Sequence, residues 1–166
     1  MRQDVEIVSS RDRNFSIPRN LKPKTIFDVG FRTIFTTRDY LRKYPDSTIF
    51  SLQGDNANFL LDKNSLGYHD NVVFKYVDLH TLDLDEFIFD NAKYDKIDFM
   101  KLDVNGEEKR ILKNGGYWAN FVDYIKVRLF DYDYKEAKRD LRTLGFIPFA
   151  MHDGYDFYVI GENLNV

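Results

Sequence analysis

Residues whose side chains or backbone could serve catalysis or ligand binding recur near the ends of short apolar runs in this 166-residue chain. They are Asp28, Gly30, Gln53, Asp78, His80 and Asp103. Carboxylates grouped in this way can act as general bases or bind a cation, and a glycine lets a ligand approach the backbone. Aspartates that end strands also accept backbone N–H bonds in turns, so a structural interpretation of each one stays open.

The apolar runs before these residues have the length and composition of buried β-strands. From Thr25 onward they alternate with amphipathic segments, which is typical of βαβ units on a parallel sheet. Predicted strands cover residues 25–29, 48–52, 72–77, 97–102 and 124–130, and a terminal hairpin covers 147–151 and 156–160. Predicted helices cover residues 36–43, 56–63, 84–91, 107–113 and 134–144. The sequence therefore predicts an α/β fold with a doubly wound, mostly parallel sheet, helices on both faces and a C-terminal antiparallel hairpin.

This architecture determines where the candidate residues meet. Right-handed crossovers bring every loop that follows a strand to one edge of the sheet, and ligands bind there at the point where the strand order reverses. The reversal lies between the first and fourth predicted strands, which singles out Asp28, Gly30 and Asp103. Gln53 and Asp78 follow the second and third strands on the same edge. The resulting rim is polar and mostly acidic, and it suits hydroxyls, amines or a cation.

Composition and charge narrow the functional classes. With 43% hydrophobic residues, the chain can bury one sizeable core, and its length fits one domain. The formal net charge is −3, so no overall positive field exists to gather nucleic-acid phosphates, and we expect no nucleic-acid partner. The absence of cysteine excludes disulfides, thiolate metal sites and a cysteine nucleophile.

The amino-terminal segment differs from the rest of the chain. Residues 1–24 are rich in arginine and serine and contain one candidate strand at residues 5–8. We expect a leader that packs on the sheet edge or stays partly loose, followed by the α/β domain at residues 25–166. Its first residues are charged and no apolar stretch follows them, so we expect no secretory signal, no membrane-spanning helix and a cytoplasmic location.

The sequence predicts no metal site. The acidic cluster after the fourth predicted strand lacks the spacing of a calcium loop, and capping of the following helix is the favoured interpretation. The cluster consists of Asp103, Asn105, Glu107 and Glu108. The three histidines are too far apart in sequence to propose a zinc triad. His80 alone is expected at the functional edge, where it is either a general base or a surface histidine.

Several stretches, in one order, resemble FkbM-type methyltransferases. Thr25–Gly30 resembles the strand and first glycine that open the family's cofactor loop. The Thr-Leu-Asp of residues 81–83 and the IDFMKLDVNGEE of residues 97–108 resemble the family's threonine-leucine-aspartate and its apolar strand with a D-V-E-G-x-E turn. Residues 111–115 continue the similarity, which spans about residues 25–148.

The resemblance implies a class I, Rossmann-like fold and methyl transfer from S-adenosylmethionine to a hydroxyl of a sugar or other small molecule. The implied cofactor contacts are Asp28, Gly30, Gln53 and Asp78, and the catalytic candidates are Asp103 and His80. At the position of Gln53 the family carries an acid that accepts both ribose hydroxyls. The expected partner is a small-molecule or glycan acceptor, with no membrane.

Three features depart from the family pattern. Where the family's loop reads D-V-G-A-N-x-G, this chain has Phe31, Arg32 and Ile34 at the alanine, asparagine and second glycine positions. Gln53 replaces the acid that ends the second strand. The third strand runs almost directly into Thr81, where the family usually carries an insertion. A positive φ at Ile34, if the loop required one, would cost about 1–3 kcal/mol.

These features leave three functional hypotheses. The first is a methyltransferase that acts on an oxygen of a small molecule or glycan. The second is a domain that kept the fold without the chemistry and serves in binding or scaffolding. The third is recognition of a phosphate or carboxylate through Arg32 at a helix amino end.

Overall fold

The structure is a computed structural model that describes residues 5–7, 16–18, 21–31, 33–92, 96–114, 116–129, 131–152 and 156–161. Two short strands, β1 (Val5–Ile7) and β2 (Ser16–Pro18), pair antiparallel with each other. A larger sheet contains β3 (Thr25–Gly30), β4 (Thr48–Gln53), β5 (Val72–Tyr76), β6 (Ile97–Asp103), β7 (Val122–Arg128), β8 (Phe146–His152) and β9 (Asp156–Gly161). The α-helices of the described residues are α1 (Ile34–Lys43), α2 (Phe59–Leu66), α3 (Leu84–Ala92), α4 (Glu108–Lys113) and α5 (Tyr134–Thr143), and a short 3-10 helix covers Tyr117–Phe121.

The strand order across the larger sheet is β5-β4-β3-β6-β7-β9-β8. All neighbours from β5 to β7 are parallel, whereas β9 runs antiparallel to both β7 and β8. The order reverses between β3 and β6, which places the switch point where the sequence predicts it. The structure thus confirms the doubly wound, mostly parallel sheet and its terminal antiparallel hairpin, whose last strand lies between β7 and β8.

Side chains alternate between two buried faces of the sheet, which explains why the strands are apolar almost throughout. On one face, Ile26, Ile49 and Phe99 pack against Tyr40 of α1. On the other face, the larger core extends from the strands onto α3, α4 and α5. That core includes Phe27, Phe50, Met100, Ile88, Leu112 and Leu141. Helices therefore cover both faces, as predicted.

Local sequence explains where two of the helices begin and end. α5 starts after Asp133, whose side chain accepts the backbone N–H of Lys135 and of Glu136, each at 3.0 Å. α1 ends before Tyr44, because the residue that precedes Pro45 disfavours helical backbone.

The division of the chain at residue 25 stays a prediction. The strand expected at residues 5–8 is present as β1, and its hydrogen-bonded partner is β2, not the larger sheet. Most of the remaining leader lies outside the described residues. In the part of the chain that the structure describes, no helix combines the length and apolarity needed to cross a bilayer.

Candidate functional site

The carboxyl ends of β4, β3 and β6 lie side by side at the switch point. Gly30 pairs in register with Gln53 on one side and with Asp103 on the other. Asp78 and His80 follow β5, which is the outermost strand next to β4, and so they lie farther along the same edge. The fold therefore brings these five sequence-predicted residues to one edge of the sheet, although their side chains point in different directions.

Gly30 is required by the packing of β3 against β6. Its φ is +155°, and a Cβ placed on it would lie 1.9 Å from the carbonyl oxygen of Asp103. The backbone N–H of Phe31 donates to the same carbonyl at 3.1 Å. Only glycine permits this close approach of β3 to β6.

One departure from the family pattern, Ile34 in place of the second glycine, causes no backbone strain in the loop after Gly30. Ile34 is 1% exposed and begins α1 with helical backbone, so its β-branched side chain carries no strain from a positive φ. Phe31, in contrast, is 50% exposed at the edge of the sheet. Arg32, on which an anion-binding hypothesis depends, lies outside the described residues.

Asp28 lies beneath the crevice. Its Oδ2 accepts the hydroxyls of Thr36, at 2.5 Å, and Thr37, at 2.9 Å, and its Oδ1 lies 3.4 Å from Nζ of Lys101. All four side chains are buried. The carboxylate of Asp28 therefore supports α1 from inside the protein, and its contact with a cofactor stays a prediction.

Gln53 also points into the protein. Its side chain is 0% exposed; Oε1 accepts the backbone N–H of Thr33 at 2.7 Å, and Nε2 donates to Asp62 of α2 at 2.8 Å. The ribose contact implied by the resemblance would need an acceptor that faces the crevice. In this structure both ends of the Gln53 amide are hydrogen-bonded inside the protein, to Thr33 and to Asp62.

Asp103 remains at the edge, with its side chain 19% exposed and its Oδ2 3.4 Å from Nη1 of Arg128. The turn after it is held by Glu108, whose two carboxylate oxygens accept the backbone N–H groups of Val104 and Gly106, each at 2.8 Å. Burial raises the pKa of Glu108, against the lowering effect of these bonds. Glu108 therefore stabilises the turn, whereas Glu107, the N-cap of α4, makes no side-chain capping bond to that helix. No group of three or more potential ligand side chains in the described residues is arranged to hold a metal ion.

His80 belongs to a cluster that joins the loop after β5 to the turn after β6. Its Nδ1 lies 2.9 Å from Oε1 of Glu107, and Nε of Arg110 donates to Oε2 of Glu107 at 2.6 Å. Arg110 also donates to the carbonyl of Leu79 at 2.6 Å, and Asp78 accepts the backbone N–H of His80 at 3.0 Å. The bonds from Arg110 and His80 lower the pKa of Glu107. Because a carboxylate only accepts, Nδ1 of His80 is the donor in this bond, and Nε2 is the ring nitrogen that lies outside it.

Several residues of these clusters were not candidates from the sequence, and Glu107 was named only as part of the acidic cluster. Some of them carry a signal in the sequence. Lys101 lies between the apolar Met100 and Leu102 of β6, and Arg128 ends β7 after the apolar Val127, which points to a buried or edge partner for each charge. Glu107 and Arg110 have the i, i+3 spacing of side chains that meet on a helix face. Nothing in the sequence indicates that this pair would bind the loop after β5.

Solved structures with this fold include methyltransferases. A fibrillarin pre-rRNA processing protein of Methanococcus jannaschii is 15% identical with a TM-score of 0.63, over 85% of this chain and 67% of that chain. The N-terminal domain of EvdMO1, crystallised in the presence of SAH and D-fucose, is 15% identical with a TM-score of 0.51, over 84% and 76%. A putative methyltransferase from Thermoplasma acidophilum is 12% identical with a TM-score of 0.59, over 85% and 69%. At these identities the similarity shows the fold alone.

No curated protein matches the chain significantly. The model of the methyltransferase FkbM domain, however, matches residues 28–146, which is more than half of the chain. The match includes the switch point, the buried groups under α1 and the cluster around His80. The chain therefore belongs to the FkbM methyltransferase domain family.

Proposed function

We propose that this domain binds S-adenosylmethionine at the carboxyl edge of its sheet and transfers the methyl group to an oxygen of a small molecule or glycan. The observation that carries the proposal is the junction of Gly30 with Asp103 at the switch point, inside the span that matches the FkbM family. Doubly wound sheets bind their ligands at this position. The cofactor supplies an electrophilic methyl group on a sulfonium.

Most residues at this edge fit an adenosine-containing ligand. Gly30 carries no side chain that would block the approach, and Ile34 is turned into the core. The half-exposed ring of Phe31 offers an aromatic surface for a purine. The carboxylates of Asp78 and Asp103 offer acceptors for hydroxyl or amine donors. The exception is Gln53 at the end of β4, because its amide is hydrogen-bonded inside the protein.

We assign proton removal from the acceptor hydroxyl to His80. Glu107 orients the imidazole through Nδ1, and Arg110 holds Glu107 in turn, so Nε2 is the proton acceptor. Asp103, held by Arg128, lies on the same edge and can accept a hydrogen bond from the acceptor hydroxyl.

The acceptor we propose is a hydroxyl, most simply that of a sugar. The carboxylates of Asp78, which is exposed, and Asp103, which is partly exposed, favour hydroxyl donors over anionic groups such as phosphates. The EvdMO1 domain, which has the same fold, was crystallised with SAH and D-fucose. This neighbour supports the acceptor class by analogy of fold.

A transfer assay tests the proposed activity. The protein is incubated with S-adenosylmethionine carrying a labelled methyl group and with a panel of sugars and small hydroxyl compounds. The proposal predicts label in at least one hydroxyl acceptor, and a lower rate in the His80→Gln variant than in the control variant His69→Gln. Cofactor binding without transfer to any hydroxyl would contradict the proposed chemistry.

A second candidate, a fold kept for binding or scaffolding without methyl transfer, is favoured by the buried amide of Gln53 and by Phe31 at the position of the family's alanine. The Phe31→Ala variant distinguishes the two. If S-adenosylmethionine binds to this variant and not to the original protein, the second candidate is supported. If both proteins bind it and the original protein transfers the methyl group to a hydroxyl, the first candidate is supported.

A further inference from the structure

The last residue of β4, Gln53, completes a polar line along one face of that strand. Alternation places Ser51 and Gln53 on the face covered by α1, two residues apart. Ser51 Oγ bonds with the hydroxyls of Thr33 and Thr37, at 2.6 and 2.7 Å. Gln53 continues this contact toward the edge of the sheet by accepting the backbone N–H of Thr33.

The chemistry of its partners fixes the orientation of the Gln53 amide. Thr33 presents an N–H, which requires the amide oxygen, and Asp62 presents a carboxylate, which requires the NH₂ group. A flipped amide would oppose donor to donor and acceptor to acceptor. Both partners are buried, Thr33 at 0% and Asp62 at 6% exposure, so water cannot replace either bond easily.

A glutamine suits this position and an acid does not. Glutamate has no donor for Asp62, and it would set two buried carboxylates against each other. The amide instead connects three elements: β4, the loop that ends at Thr33, and α2 through Asp62. That loop is the segment that follows Gly30 at the switch point.

We propose that Gln53 is a positioning residue that fixes the loop between β3 and α1 to α2, and that it does not contact the ribose of a bound nucleoside. The first half of this statement stands on the geometry of the protein alone. The second half rests on the proposed function, because it concerns the ligand.

Thermal unfolding tests the first half. Gln53→Met keeps the volume of the side chain but removes both bonds, leaving the N–H of Thr33 and the carboxylate of Asp62 buried, and we expect Tm to fall by about 5–10 °C. Gln53→Glu should also lower Tm, and by more at pH 7 than at pH 5, because protonation relieves the carboxylate pair. Combining Gln53→Glu with Asp62→Asn exchanges the two end groups, so that position 62 donates and position 53 accepts.

If the side chain at position 53 joins Thr33 to the side chain at position 62 inside the protein, this exchange should restore stability. The double variant should recover at least half of the Tm lost in Gln53→Glu. The single variant Asp62→Asn, which keeps an acceptor for Nε2, is the matched control, with a fall of less than about 3 °C. An unchanged Tm in Gln53→Met, or no recovery of Tm in the double variant, would overturn the proposal that Gln53 fixes the loop between β3 and α1 to α2.

Binding of S-adenosylhomocysteine and of its 2′-deoxy analogue tests the second half. The ratio of the two Kd values should be the same, within about threefold, in the original protein and in Gln53→Met. A ratio of ten or more that falls to about one in Gln53→Met would show that Gln53 contacts the ribose, and would overturn the proposal. If neither ligand binds either protein, the proposed function fails, whereas the Tm measurements still decide the role of Gln53.

Discussion

Lys101 of β6 and Asp28 of β3 form a buried ion pair under α1, with Nζ 3.4 Å from Oδ1. The two strands are neighbours at the switch point, and the pair lies directly beneath the edge where Gly30 meets Asp103. Thr36 of α1 bonds with both members, at 2.5 Å to Asp28 and 3.2 Å to Lys101. The pair thus links the helix that follows the candidate ligand loop to the centre of the sheet.

Breaking this pair should destabilise the protein strongly. Lys101→Met leaves Asp28 buried without its cation, and we expect the free energy of unfolding to fall by about 3–5 kcal/mol, measured by urea denaturation. Lys96→Met, which removes a lysine that is 61% exposed, is the control, with a change below about 1 kcal/mol. Adding Asp28→Asn to Lys101→Met should restore part of the loss; equal effects of the two lysine variants would contradict the account.

Gly30 should tolerate no side chain. Gly30→Ala combines an unfavourable φ with a collision against the carbonyl of Asp103, so we expect a loss of at least about 3 kcal/mol or failure to fold. Gly145→Ala is the matched control, because its φ of +87° is also positive but nothing lies within 4 Å of the added Cβ. That variant should lose about 1–2 kcal/mol. Equal losses in both variants would mean that the close approach of β3 and β6 is absent.

The pair of His80 and Glu107 should matter for turnover more than for binding. We expect His80→Gln to lower kcat about 10²- to 10⁴-fold, with the Kd for S-adenosylhomocysteine within about threefold of the original value. Glu107→Gln should have a smaller effect in the same direction, because it misorients the base without removing it. His69→Gln serves as the control. A His80 variant with full kcat would remove the residue from the proposed mechanism.

Glu136 of α5 should make stability depend on pH in the acid range. Hydrogen bonds from Lys109 and Lys113 of α4 lower its pKa to about 2. A carboxylate with a depressed folded-state pKa contributes stability above its unfolded value of 4.5, and the contribution is lost as the pH falls toward 2. Glu136→Gln should therefore lower Tm at pH 7 and have little effect near pH 2. The same Tm difference at both pH values would rule out this linkage.

The sheet was predictable from the sequence, because its strands are short apolar runs separated by amphipathic segments. The first residues of α1 and α2 were harder to predict from the sequence. α2 begins at Phe59, three residues after the predicted start. The carboxylate of Asp55 accepts hydrogen bonds from the backbone N–H and from Nδ2 of Asn58, and these bonds form a turn before the helix. α1 begins at Ile34, two residues before the predicted start, directly after the Thr33 N–H that Gln53 holds.

The candidate site was predictable in position but not in the direction of its side chains. Strand order alone brings Gly30, Gln53 and Asp103 together at the edge. Whether the side chain at the end of β4 faces the ligand or the interior depends on Asp62, nine residues later on another helix. Likewise, the contact of His80 with Glu107 joins loops that follow strands separated by two others in the sheet, which no local pattern encodes.

Isothermal titration with S-adenosylmethionine and S-adenosylhomocysteine measures whether this member of the FkbM family binds the cofactor at the switch point of its sheet. We expect saturable heat with one site for each ligand. We also expect that Phe31→Ala, at the edge, changes the Kd, while Tyr68→Ala, at a side chain that is 90% exposed elsewhere, does not. No heat from either ligand at millimolar concentration would contradict the cofactor assignment.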